Sequence, residues 1–218
     1  LSHSIKLFRG ILKPDKEFES FQEINQFKGL IPRWIIISIL SGIIGTITIL
    51  TALNRLVPEF EGFFSNKMTF ILGSFYVVIV FIIYLFLPLA ANLAVSLICW
   101  PFLLDAGFKK IFVINSYVSL IYLIGSFFNL AVFLLLHTNN LLSVFGLGII
   151  GRQLTDNRLF FLLLNSITIF FIWGLIIQTR AFFRTSQKRK SYMITAIIIT
   201  SLMYILIGML EGTATLTP

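Results

Sequence analysis

Met68–Leu104 reads MTFILGSFYVVIVFIIYLFLPLAANLAVSLICWPFLL, without a single Asp, Glu, Lys or Arg. A helix that crosses a bilayer needs about 20 consecutive apolar residues. A membrane β-barrel would instead show short segments of alternating polarity, and this stretch has none of that alternation. The rest of the chain agrees. Of its 218 residues, 57% are hydrophobic and only 12% charged, whereas a soluble domain carries about 25% charged residues. The expected fold class is all-α: a polytopic membrane protein.

Runs of apolar residues predict five transmembrane helices: Trp34–Leu53, Met68 to about Trp100, Asn115–Leu136, Leu159–Gln178 and Tyr192–Leu210. This divides the chain into an N-terminal segment (1–33), a five-span bundle (34–210) and a short tail (211–218). Nothing long and apolar precedes residue 34, so no cleavable signal peptide is expected. The second run is the longest. As a helix it would measure about 50 Å, against a hydrocarbon core of about 30 Å. It is predicted as one tilted helix kinked at Pro88, which removes a backbone hydrogen bond.

The formal net charge of +8 would suggest nucleic acid in a soluble chain. Here the basic residues lie between the spans, where they orient the protein and meet anionic lipid. Membrane lipids are therefore expected partners, and nucleic acid is not. Six basic residues precede the first span: Lys6, Arg9, Lys13, Lys16, Lys28 and Arg33. Lys109 and Lys110 follow the second span, and Arg180, Arg184, Lys188, Arg189 and Lys190 follow the fourth. These thirteen share one side, and the other side holds four, Arg55, Lys67, Arg152 and Arg158. The positive-inside rule then puts the N-terminus in the cytoplasm and the C-terminus outside a cell membrane.

Within the N-terminal segment, Pro14 suits the first turn of a helix, and Asp15, Glu17 and Glu19 suit its positive end. Phe18, Phe21, Ile24 and Phe27 recur every three residues and spread over one broad face. Glu19, Glu23 and Gln26 take the other. The expectation is an amphipathic helix lying on the cytoplasmic surface and ended by Gly29 and Pro32. Its phenylalanines, Phe18 and Phe21 first, would meet lipid or a docked protein.

The spans offer little chemistry. His3 and His137 are the only histidines and are expected on opposite sides, and Cys99 is the only cysteine. No H-E-x-x-H, G-x-S-x-G or Walker A motif is present. A non-enzyme without cofactor or metal is expected. Asn92, Asn129 and Asn165 stand inside spans. Asn92 follows Pro88 by one turn, where its amide can serve backbone groups at the kink. Asn129 and Asn165 can bond between helices at about 1 kcal/mol each. Asp105 is expected to cap a short helix or pair with Lys109. In SGIIGTIT (41–48), Gly42 and Gly45 belong to a small-residue face that allows close helix approach, either within the bundle or to another subunit. The connection from His137 to Arg158 is either a re-entrant loop or an ordinary loop with a short surface helix.

The order LFRGILKPDKEFESFQE followed by five spans resembles the Yip (Ypt/Rab-interacting protein) family, and its bacterial branch most. Pro14 and Phe18 match its P-x-x-x-F element, and GFKKIFVINSYVSLIYLIG matches its basic turn and Tyr-containing third span. The D-L-Y-G-P element of the eukaryotic members is missing, so Rab binding does not follow. The resemblance implies an accessory or scaffold protein that binds another membrane complex, with ABC-type efflux subunits as one partner class. A small transporter or lipid-handling protein is the alternative.

Overall fold

The computed structural model describes residues 2–4, 7–22, 26–56, 67–136, 143–154 and 157–215. The chain is mostly helical. Four helices are long and apolar enough to cross a membrane, over Leu30–Thr51, Gly73–Phe102, Phe108–Leu136 and Lys190–Leu210. It is a membrane-embedded helical protein.

The first of these lies in α3 (Leu30–Leu56). Pro32 falls in its first turn, where no backbone N–H has an intrahelical partner to lose. Helix α4 (Lys67–Cys99) runs on through Pro88 without a break, and a 3₁₀ turn, Trp100–Phe102, ends it. Gly107, at φ 76°, makes the left-handed turn into α5 (Phe108–Leu136). Helix α5 therefore starts seven residues before the expected span, and Asn115 lies well inside it. The most apolar stretch of α5 is 39% buried and that of α4 only 11%. Helix α5 is the centre of the bundle, and α4 lies at its edge.

The expected fourth helix, Leu159–Gln178, is not one helix. Two helices, α7 (Arg158–Ser166) and α8 (Ile169–Thr185), meet at a break over Ile167 and Thr168. The Asn157 side chain caps α7, accepting from the Leu159 and Phe160 amides at 3.0 and 3.2 Å. Thr168 caps α8, accepting from the Phe171 amide at 3.0 Å. Three successive β-branched residues at the break disfavour helix. The freed backbone groups are taken up by the segment before α6 (Gly148–Leu154). The Ile169 amide donates to Phe145 O at 3.0 Å, and the Leu147 amide to Ile167 O at 3.1 Å. Gly146 forms an antiparallel bridge to Thr168. A Cβ on Gly146 would sit 2.9 Å from Asn165 O, so only glycine permits this approach. Helix α6 packs on α7. Residues 137–142 and 155–156 of this connection lie outside the described residues.

The final helix, here labelled α9 (Lys190–Thr215), carries helical backbone five residues into the expected tail. Both α7 and α8 run antiparallel to it. Gln178 of α8 meets Thr200, and Ser166 of α7 meets Gly208 further along.

The N-terminal segment also departs from expectation. Two short helices, α1 (Leu7–Leu12) and α2 (Pro14–Phe18), lead into a 3₁₀ turn at Glu19–Gln22. Helix α1 packs on α5, while α2 and the 3₁₀ turn pack on α8. Strand β1 (Ser2–Ser4) pairs in parallel with β2 (Gln26–Lys28) and joins the segment's two ends. The single amphipathic helix is replaced by a compact strap packed into the bundle. Glu23 and Ile24 lie outside the described residues.

Candidate functional site

The side chains that tie the helices together concentrate at the basic end of the bundle. Asn115 is fully buried on α5. Its Nδ2 donates to Ser96 Oγ of α4 at 2.9 Å. Its Oδ1 accepts from Gln178 Nε2 of α8 at 2.8 Å. Gln178 Oε1 in turn accepts from Thr200 Oγ1 of α9 at 3.1 Å. All four residues are 0% exposed. At the next residue of α5, Trp34 Nε1 of α3 donates to Ser116 Oγ at 3.0 Å, and that hydroxyl donates to Phe112 O at 2.7 Å. This chain of hydrogen bonds joins α4, α5, α8 and α9, with α3 beside it. Each amide's polar ends are matched, so the network holds helices in register without a buried charge.

Below it sits the strap. Phe18 and Phe21 are both 0% exposed. Their ring centroids stand 5.1 Å apart and edge-on, and Phe18 meets the Tyr117 ring edge-on at 5.2 Å. Gly10 lies directly on the same ring, where a Cβ would overlap it. The Tyr117 hydroxyl donates to Glu17 Oε1 at 3.2 Å. Tyr117 is seven residues past Lys110, about 10 Å along the helix, so the strap reaches into the bundle. Asp15 stays at the surface, 3.4 Å from Arg180 and 3.9 Å from Arg184. Phe18 and Phe21 therefore pack inside this chain and offer no free docking face.

Asp105 also differs from expectation. It accepts from Ser186 Oγ at 2.9 Å and from the Gln187 amide at 2.6 Å, fastening the α8–α9 turn.

Gly42 and Gly45 form the face of α3 that receives α4. A Cβ at Gly42 would crowd Phe81, and one at Gly45 would overlap Tyr84. This close approach lies within the chain. Asn92 of α4 donates to α5, Ser96 of α4 accepts from it, and Cys99 meets Ala196 of α9. All three residues follow Pro88. Before Pro88, the stretch from Phe75 to Leu87 turns Phe75, Val78, Ile79, Ile82, Ile83 and Phe86 outward, each about half exposed or more.

Asn92 does not serve the backbone of its own helix. Its Nδ2 donates to Phe112 O of α5 at 3.3 Å, while its Oδ1 is buried without a partner among the described residues. Asn129 Oδ1 accepts from Ser143 Oγ at 3.0 Å and holds the stitching segment to α5. Asn165 lies against Gly148 at the start of α6, with its Oδ1 likewise buried and unpartnered among the described residues.

The sequence reading missed Asn115, Gln178, Ser96, Thr200 and the receiving residue Tyr117. Asn115 and Gln178 were the available signal, as amides within apolar surroundings, but both fell at assumed span ends. Among the described residues, no three His, Cys, Asp or Glu side chains are placed to hold a metal ion. Compared with known proteins, the chain matches no family model, no curated protein and no solved structure.

Proposed function

We propose that this protein is a non-catalytic accessory or scaffold subunit of the cell membrane that binds another integral membrane complex. ABC-type efflux subunits are the partner class implied by its resemblance to bacterial Yip proteins. The observation that carries this reading is the α3–α4 hairpin. Its two helices pack closely through Gly42 and Gly45. Before Pro88, α4 presents a broad apolar face with few neighbours of its own. A face of this kind seats another transmembrane helix, since helix association in lipid relies on packing rather than on water exclusion.

The polar interior supports the same reading. The amides of Asn115 and Gln178 are taken up in helix-to-helix bonds, which favours a fixed bundle over a substrate path. The break between α7 and α8 favours the second reading, a small transporter or lipid-handling protein, because discontinuous helices often frame binding sites in transporters. Purification from native membranes in mild detergent separates the two. The accessory reading expects a stable complex with another membrane protein at normal abundance. Recovery of this chain alone counts against it.

In the membrane this reading has five crossings. The fourth crossing is the pair α7 with α8, which lies along the length of α9 and so acts as one discontinuous crossing. The N-terminus is cytoplasmic and the C-terminus outside, from the thirteen-to-four split of basic residues. A cysteine replacing Gln187, exposed in the α8–α9 turn, should be protected from an impermeant outside reagent, and one replacing Thr213 should react. The opposite labelling would invert the protein.

A further inference from the structure

The strap is held in two different ways, and only one of them faces water. Inside, Phe18, Phe21 and Ile11 are buried against α5 and α8, and Glu17 meets Tyr117. Outside, the Asp15 carboxylate lies near two arginines. Asp15, Arg180 and Arg184 are all half exposed, at 53%, 52% and 53%. Pairing β1 with β2 closes the strap on itself, so its two ends move together. It joins α3 through Gly29, at φ 76°, and the Arg33 guanidinium bonds to Gly29 O at 2.6 Å and Lys28 O at 3.3 Å beside that joint.

Arg180 and Arg184 lie one turn apart near the end of α8, followed by exposed Lys188, Arg189 and Lys190. Guanidinium groups bind phosphate oxygens in a two-bond fork, whereas Asp15 stands 3.4 Å from Arg180 and 3.9 Å from Arg184. An exposed ion pair shifts an equilibrium by no more than about fivefold. Attraction of a basic residue to an anionic leaflet is worth about fivefold for each residue. The attraction of two arginines to headgroups therefore matches or exceeds what their exposed contacts with Asp15 contribute.

We infer that the strap is a lipid-sensitive latch: phosphate headgroups of anionic lipid compete with Asp15 for Arg180 and Arg184 and loosen the strap from its seat on α5 and α8. Lys13 and Lys16, exposed on the strap itself, are drawn toward the same surface and pull in the same direction. Opening uncovers Tyr117 and the groove between α5 and α8. The latch rests on the orientation proposed above only for its setting in the cell, because symmetric vesicles present the same lipid to both sides.

The test is hydrogen exchange of the Ile11–Phe21 amides in the full chain, reconstituted in vesicles. Three conditions are compared: phosphatidylcholine alone, phosphatidylcholine with phosphatidylglycerol, and phosphatidylcholine with inorganic phosphate in solution. Phosphatidylglycerol should speed exchange in the strap roughly two- to fivefold, with Val113–Ile121 of α5 unchanged. Asp15→Asn should show the faster rate in neutral vesicles and gain little from phosphatidylglycerol. Equal strap exchange in neutral and anionic vesicles would overturn the latch. So would a full lipid response in Asp15→Asn. An equal effect of inorganic phosphate would overturn the lipid as the competing group.

Discussion

Replacing Phe18 and Phe21 together with Ser should release the N-terminal strap from the bundle. Truncating one buried phenylalanine costs about 3–5 kcal/mol, and each aromatic contact adds roughly 0.5–1.5 kcal/mol. The two rings touch at 5.1 Å, so their losses will not simply add. Even so, the loss exceeds the roughly 1 kcal/mol that the exposed Asp15 ion pairs can contribute. The apolar spans begin after the strap, so insertion should proceed at near-normal level. Trypsin should then cut after Lys16 and Lys28 in the double variant and spare the same bonds in the parent. Equal resistance in both would mean that the aromatic seat does not hold the strap.

The second large effect concerns the polar chain at the bundle's centre. Asn115→Leu removes both partners of one amide at once. Ser96 Oγ loses its donor, and Gln178 Nε2 loses its acceptor. Each buried group left unmatched costs about 1–3 kcal/mol, and hydrogen bonds between membrane helices lie toward the lower end, near 0.6–1.7 kcal/mol. The variant should lose about 1–3 kcal/mol in all, read as a clear drop in thermal unfolding temperature in detergent. Ser119→Ala is the contrast, since Ser119 Oγ only donates back to Asn115 O on its own helix at 3.1 Å. Its cost should stay within about 0.5 kcal/mol. If the two variants unfold at the same temperature, the amide chain does not set the packing.

Hydropathy made the membrane class and four of the crossing segments legible, because lipid solvates a helix only where its residues are apolar for about 20 positions. The same averaging hid the break at Ile167 and Thr168. A window over Leu159–Gln178 is apolar throughout, and the backbone that stitches the break comes from Ser143–Leu147, some 20 residues earlier along the chain. The local signs were present: three β-branched residues in a row, with a threonine able to cap. Nothing in them names the partner strand.

A comparable limit applies to the strap. The three-residue spacing of phenylalanines marks an apolar face, and it does not say whether lipid, a partner or the chain itself covers it. The answer depends on Tyr117, 100 residues away from Glu17. The small-residue face of Gly45 was legible, but nothing near Gly10 in the sequence marks the Tyr117 ring that lies on it. Asn115 and Gln178 fall at the bounds of their expected spans, because trimming a span to its most apolar window leaves amides at the ends. The helices run past those windows and carry both amides into the core.

The most direct test of the accessory role places a photo-crosslinking residue at Ile79, Ile82 or Phe86 of α4 in native membranes. These positions lie on the apolar face before Pro88, each 47–58% exposed. The account predicts a discrete adduct with one membrane protein from this face. Adducts with lipid alone at all three positions would contradict it.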